Sequence, residues 1–358
     1  MIIPELPAYI SSMGGEDYKG LIISLFAFTA AVSRPFSGKL ADQIGRRPVM
    51  IFGTLAAAVS SALYPFISGL FAFFLLRLIH GLSTGFKPTG TTAYLADIVN
   101  DKNRGEALGL LGMSGSIGMA AGPAIGSALA LSFGMNTMFM ISSLTGFLSM
   151  ACIFFIKESV PNTKRFNSAM LLVRKNEIIE RRVFPSSIVM LLTTYSFGMV
   201  LTIIPDLSDF LEVKNRGLFF SVMLIFSIIT RLFSGKASDK YGRVKLLLMG
   251  TFSLFLATGI LAFASNQAIY FAGAVIFGIS TGINSPTIFA WTVDLADPSK
   301  RGKAIATMFI ALEVGILTGA ILSAELYSNN PSGFLLAFAS GAILALTAFI
   351  YLLMRRKN

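Results

Sequence analysis

The sequence predicts an all-α integral membrane protein built from two related helical bundles. Three observations carry this: an apolar composition, apolar stretches of bilayer-spanning length along the whole chain, and a block of residues that recurs at a fixed interval. Of 358 residues, 54% are hydrophobic and only 13% charged, and the mean hydropathy is +0.73. An ordinary soluble domain carries roughly twice that share of charge. The formal net charge is +11. These figures exclude a soluble enzyme and a disordered regulator, and Cys152, the single cysteine, excludes a disulfide scaffold. The basic balance does not point to nucleic acid, because such a protein also needs a water-soluble body. The excess charge belongs in loops.

A bilayer-crossing helix needs about 20 mainly apolar residues. Lipid offers backbone N–H and C=O groups no partner, so each such stretch must be helical. Period-two alternation is absent and the runs are too long for a β-barrel. In order, Met1 to Ser12 reads as the tail of a span. Residues 18–41 and 48–67 flank a short polar joint, 70–97 carry a row of polar side chains, and 104–131 a row of glycines. Residues 135–156 lead into a basic segment, 157–183. The pattern resumes at 184–206, 216–238, 244–264, 268–294, 303–326 and 333–354, making eleven spans.

Alternate joints carry the positive charge. One set holds 22 of the 29 Lys and Arg residues, among them Lys39, Arg46, Arg47, Lys102, Arg104, Lys236, Arg243, Lys300 and Arg355. The other set holds only Lys19, Lys214 and Arg216. The positive-inside rule makes the first set, and the C-terminus, cytoplasmic. Within the basic segment, Arg174-Lys175 and Arg181-Arg182 are expected on an amphipathic helix against anionic headgroups.

The chain also repeats itself. Arg34-Pro35-Phe36-Ser37-Gly38-Lys39-Leu40-Ala41-Asp42 recurs 197 residues later as Arg231-Leu232-Phe233-Ser234-Gly235-Lys236-Ala237-Ser238-Asp239. At the same offset Gly45-Arg46 meets Gly242-Arg243, Ser83-Thr84-Gly85 meets Ser280-Thr281-Gly282, and Asp97 meets Asp294. Two copies of one helical unit explain this. Ile2-Ile3-Pro4-Glu5-Leu6 likewise resembles Ile203-Ile204-Pro205-Asp206-Leu207, but only the second is preceded by about 20 apolar residues. The expected parent is therefore six helices plus six, lacking most of the first; a genuine eleven-span protein is the alternative. The expected divisions are 1–156, a linker 157–183, and 184–358.

These residues resemble the major facilitator superfamily over essentially the whole chain. The loop Gly38 to Arg47, with Asp42, Gly45 and Arg46, is similar to the family's signature after its second helix, and Gly235 to Arg243 falls where the weaker copy follows helix eight. Arg77 with Gly81 and Gly85 resembles the fourth-helix motif. Gly109, Gly118, Gly122, Pro123 and Gly126 resemble the antiporter motif, with Ser127 in place of its closing glycine. Physically, glycines at four-residue spacing let helix backbones approach closely, and Pro123 can kink its helix. Close packing alone and a hinging or sealing role both remain open for them.

The resemblance implies two pseudo-symmetric six-helix bundles around a cavity and alternating-access transport of a small molecule, with protons as coupling ion, in a bacterial inner membrane, as a monomer. It also implies that Asp42, Arg46 and Asp97, repeated as Asp239, Arg243 and Asp294, form a cytoplasmic gate. Lys39 and Arg47 read as topology anchors. Exposed pairs contribute only about 0–1 kcal/mol, so a useful latch needs burial.

Ionisable side chains in a span cost about 2.5–3.5 kcal/mol on insertion scales and are functional candidates by default. Arg77, His80, Thr84, Lys87 and Thr91 stand at steps of 3, 4, 3 and 4, on one helical face. That face must meet a wet cavity or partner helices. The second-copy positions include Thr281 and Asn284 among apolar neighbours. Glu313, ten residues into its span, is the carboxylate nearest the middle of any span; it is expected to accept the proton, with Arg77 coupling its charge to cavity solvation. His80, Thr84, Lys87, Thr91, Thr281 and Asn284 are expected to line the solute path. Arg34 and Arg231 are expected to snorkel or to pair with gate acids, and Trp291 to be an interfacial anchor. No metal-ligand cluster, cofactor loop or catalytic triad is readable. Efflux of an amphipathic drug or metabolite against protons is the leading expectation; the alternatives are uptake by the same fold or a non-transporting sensor.

Overall fold

The computed structural model describes residues 1–99, 104–160, 163–172, 179–296 and 301–356, and among these there is no strand. A short helix α1 (Leu6–Ser11) precedes five long ones: α2 (Lys19–Ile44), α3 (Arg46–Leu63), α4 (Leu70–Ile98), α5 (Arg104–Phe133) and α6 (Met135–Phe154). Six more follow the linker: α7 (Phe184–Phe210), α8 (Leu218–Tyr241), α9 (Arg243–Ala262), α10 (Gln267–Leu295), α11 (Arg301–Tyr327) and α12 (Gly333–Arg356). Eleven of the described helices are long and apolar enough to cross a membrane.

Two glycines set the sharpest joints. Gly45 (φ +109°) ends α2 and opens α3, and Gly242 (φ +91°) does the same between α8 and α9. A side chain is strained at these angles, so glycine here breaks a continuous apolar run into a hairpin. The hairpins then pack into two halves. In the first, α2 and α3 pack on α4, and α3 and α5 on α6; in the second, α7 packs on α11 and α12, while α9 packs on α10 and α12, and α8 on α10. The halves meet along two seams, α2 against α11 and α5 against α8.

Each half has its own apolar core. The first gathers Leu6, Ile22, Tyr64, Phe73 and Phe139; the second Met199, Phe219, Tyr270, Phe277 and Phe338. Large apolar side chains such as Phe71 and Phe155 are more than four-fifths exposed, which suits a lipid solvent and no aqueous one. With lipid outside, interhelical association rests on close packing. Gly198 of α7 shows it: a Cβ there would lie 2.1 Å from the Ile316 carbonyl oxygen of α11.

Two side readings of the sequence are corrected. Trp291 is not an interfacial anchor; it is buried among Met190, Leu247, Met308 and Leu352. Arg181–Val183 forms a single 3₁₀ turn leading into α7, and Arg174-Lys175 lies outside the described residues. The linker follows the first half, with the Lys164 backbone N–H donating to Gln43 O at 2.7 Å and Lys39 Nζ to Leu172 O at 2.5 Å. It ends on α11, where the Glu180 N–H donates to Thr307 Oγ1 at 2.8 Å.

The packing predicts a contrast between two glycines. Gly198→Ala should destabilise by about 1–3 kcal/mol through overpacking, read as a lower thermal midpoint in detergent. Gly259→Ala, with nothing within 4 Å of the new Cβ, should be neutral or raise stability by about 0.5–1 kcal/mol through the helix-propensity gain.

Candidate functional site

The midlevel of the α2–α11 seam holds an ion pair. Arg34 and Glu313 lie 279 residues apart in sequence, yet Nη2 and Nε of Arg34 donate to Glu313 Oε1 at 2.6 and 3.1 Å. Both side chains are at least nine-tenths buried, at 9% and 4% exposure. The guanidinium also stacks over Phe309, 4.3 Å from the ring centroid. Arg34 therefore neither snorkels nor joins the loop acids; it is the cationic partner of the buried carboxylate. Such a pair is no large source of stability, but removing one partner strands the other charge at about 3–5 kcal/mol.

Two further pairs join the halves at the face opposite the basic loops. Lys19, at the start of α2, donates to both carboxylate oxygens of Asp206 near the end of α7, at 3.0 and 2.9 Å. Arg216, before α8, donates to Glu5 at 2.8 Å and to Asp209 at 2.6 Å. Lys19 and Arg216 are equivalent at the 197-residue offset, and Glu5 and Asp206 sit in the two Ile-Ile-Pro-acid elements. One bond in each copy thus reaches into the opposite half. Sequence reading missed this; the offset was the signal that could have shown it. Beside Lys19 lies a cavity of about 480 Å³ lined by Glu16, Asp17, Asp206, Tyr327 and Asn329. Backbones are tight here, since a Cβ on Gly20 would meet Ala320 O at 2.9 Å and one on Gly217 would meet Pro123 O at 2.4 Å.

The polar contacts between the halves are distributed unevenly along the seams. Among the described residues, the hydrogen bonds and ion pairs from half to half lie at the level of Arg34 and Arg231 or beyond it, away from the basic loops. At 1.5 Å per residue, Arg34 stands about 15 Å in from the Ile44 end of α2. Gly38 and Gly235 have open space around them.

The polar face of α4 is turned mainly into its own half. Arg77, 1% exposed, donates to Ile22 O at 2.7 Å and Tyr64 Oη at 3.2 Å and stacks on Phe26. It does not reach Glu313. His80 is buried beside Tyr64 Oη, 3.4 Å away, against Phe26. Lys87 donates to Ser149 Oγ of α6 at 3.0 Å, Thr91 to Lys87 O at 2.8 Å, and Thr84 is half-buried. In the second half Thr281 donates to Ser227 Oγ of α8 at 3.1 Å, while Asn284 is buried, bonded to Ser280 and packed on Gly250 of α9. A helical face says which residues travel together, not which neighbour they meet.

At the basic loops the two acid–base–acid sets are assembled. Arg46 pairs with Asp42 and, at 3.0 Å, with Asp97. Arg243 pairs with Asp239 at 2.5 Å and with Asp294 at 2.9 Å. Arg47 donates to Phe154 O at 2.9 Å. Each set joins helices within one half. The first has an addition: the Glu158 carboxylate, just after α6, accepts the backbone N–H groups of Arg46 and Arg47 at 2.9 Å each, capping α3. A Cβ on Gly45 would meet that carboxylate at 2.5 Å.

The α5 glycines differ from their counterparts. Gly315 and Gly319 of α11 press on Leu191 and Tyr195 of α7, whereas Gly118 has nothing within 4 Å and Gly122 and Gly126 touch the Met1 backbone. The surroundings of Gly109 lie outside the described residues. Pro123 meets Gly217 across the α5–α8 seam.

Comparison with known proteins adds to this geometry. A sequence model of the Major Facilitator Superfamily matches residues 1–214 and again residues 186–358. The multi-drug resistance efflux pump PmrA of Streptococcus pneumoniae is 29% identical over 311 residues, 81% of this chain and 75% of the pump. The multidrug resistance protein MdtG of Enterobacter lignolyticus is 25% identical over 367 residues, 98% of this chain and 87% of the relative. The crystal structure of the human organic anion transporter MFSD10 superposes with a TM-score of 0.71 at 20% identity, over 96% of this chain and 88% of that one.

The Glu158 cap gives a pH-dependent prediction. Burial pushes its carboxyl up, but backbone N–H groups of Arg46, Val160, Arg47 and Ser159 outweigh this and hold it below the ordinary value. A carboxyl lowered on folding stabilises above its unfolded pKa, about 4.3, and loses that contribution as pH falls through the folded value. Glu158→Gln should cost about 0.5–2 kcal/mol at neutral pH, and the gap in thermal midpoint from wild type should close on acidification below about pH 4. A gap that is constant with pH would show the cap carries no charge effect.

Proposed function

Because the chain belongs to the Major Facilitator Superfamily, a family of membrane transporters, we propose that it exports a small amphipathic drug or metabolite in exchange for protons, by alternating access. The relatives named as a multi-drug resistance efflux pump and a multidrug resistance protein support export. The basic loops and the C-terminus face the cytoplasm in this reading, so the ion pairs that join the halves lie at midlevel and on the outer side. Lys19–Asp206 and Arg216–Glu5 form the outer seal, and the Asp42–Arg46–Asp97 and Asp239–Arg243–Asp294 sets act as inner gate elements.

The observation that carries the coupling is the buried Arg34–Glu313 pair on the seam between the halves. A proton on Glu313 cancels its attraction to Arg34 and loosens α2 from α11. A ligand shifts a conformational equilibrium only by its differential affinity for the two states, and a charge pair spanning the moving boundary supplies that difference. Arg77 acts at one remove: fixed to Ile22 O on α2, it holds the backbone of the helix that carries Arg34. Solute occupies the space between the halves on the inner side of the pair.

In membrane vesicles, Glu313→Gln should abolish dye movement (fluorescein or ethidium) driven by a pH gradient and lower the thermal midpoint, since Arg34 is left without its partner at a cost of about 3–5 kcal/mol. Arg34→Gln combined with Glu313→Gln should recover stability but not coupling. Wild-type dependence on the pH gradient in Glu313→Gln would remove this residue from the mechanism.

A further inference from the structure

The Arg34–Glu313 pair has a second copy with one member missing. At the 197-residue offset Arg34 corresponds to Arg231 of α8, and Glu313 to Ser116 of α5. The geometry is repeated too, because Arg231 Nη1 donates to Ser116 Oγ at 3.2 Å across the α5–α8 seam. A serine replaces the carboxylate. A guanidinium offers five N–H donors, and Arg34 uses Nε and Nη2 together on Glu313. The Nε of Arg231 is buried and has no hydrogen-bond partner, and among the described residues no carboxylate pairs with this side chain. A buried donor left unmade costs about 1–3 kcal/mol, more beside a full charge.

Among the described residues, no side chain of the α5–α8 seam relieves this. Ser116 is itself buried, whereas Gly112, Gly115 and Gly118 around it have no atom within 4 Å of an added Cβ. A serine is shorter than a glutamate by two carbon positions and offers one oxygen instead of two, so it meets Nη1 and leaves Nε unanswered. We propose that Arg231 is an anion-binding site, and that the transported solute brings the carboxylate, sulfonate or phosphate that completes the second pair. A planar oxyanion matches the Nε/Nη fork. The solute then enters where the duplicated fold has a vacancy of charge, opposite the pair assigned to the proton. This inference rests on the transport reading above and adds the solute's charge class to it.

Two substitutions separate the possibilities. Ser116→Glu rebuilds the carboxylate from within the protein; Arg231→Gln removes the cation, and Arg231→Lys keeps the charge but not the fork. Fluorescein (anionic) and ethidium (cationic), tricyclic dyes of similar size, are titrated with purified protein and followed by anisotropy, and their movement is measured in vesicles. Wild type should prefer fluorescein. Its affinity ratio for fluorescein over ethidium should fall about tenfold or more in Ser116→Glu and in Arg231→Gln, the loss of about 1.4 kcal/mol, with Arg231→Lys between. A wild type without anion preference, or a preference that survives Ser116→Glu, overturns the proposal. A thermal midpoint raised by chloride relative to gluconate at equal ionic strength, lost in Arg231→Gln and unaccompanied by any fluorescein preference, also overturns it, by making the site one for an inorganic anion. The two readings fail differently: if wild type moves neither dye, transport itself fails, whereas dye movement indifferent to residues 116 and 231 sinks the anion site alone.

Discussion

A charge inside a bilayer must be paired, hydrated or withdrawn, and this chain resolves most of its buried charges by reaching across the boundary between its own halves. Arg34 finds Glu313, Lys19 finds Asp206, and Arg216 finds Glu5. None of these partners lies on a neighbouring turn or within the same half. The strongest polar contacts between distant parts of the chain are therefore placed along the seams where the two halves meet. Apolar packing builds each half, and the ion pairs join the halves together with close backbone contacts such as Gly20 against Ala320.

Duplication explains why these contacts come in related sets. Two copies of one unit facing each other generate two seams, α2–α11 and α5–α8, and two outer bonds of opposite direction. Where the copies have stayed alike, as in the arginine triads at the basic loops, the geometry is nearly the same. Where they have drifted, one seam keeps a carboxylate and the other a serine, and tasks can be divided between them.

Much of the fold was legible in the sequence. Span lengths, the basic joints and the 197-residue repeat place eleven helices within a few residues of where they lie, and the partners of Arg46 and Arg243 are evident because both copies spell them. The cross-half partners were not evident: Arg34 and Glu313 sit 279 residues apart, and no local periodicity links them. The spacing groups the α4 face and leaves open whether it meets a wet cavity or partner helices; Lys87 bonds to Ser149 of α6. Sequence spacing fixes which side chains share a face; only tertiary packing decides what that face meets.

The linker sets a limit on travel. It is fastened to the first half at Leu172, through Lys39, and to α11 at Glu180, through Thr307. Eight peptide units join these two points, and a fully stretched chain spans at most about 28 Å over that count. As long as both fastenings hold, any parting of α11 from the first half at this end has a hard stop written in covalent reach.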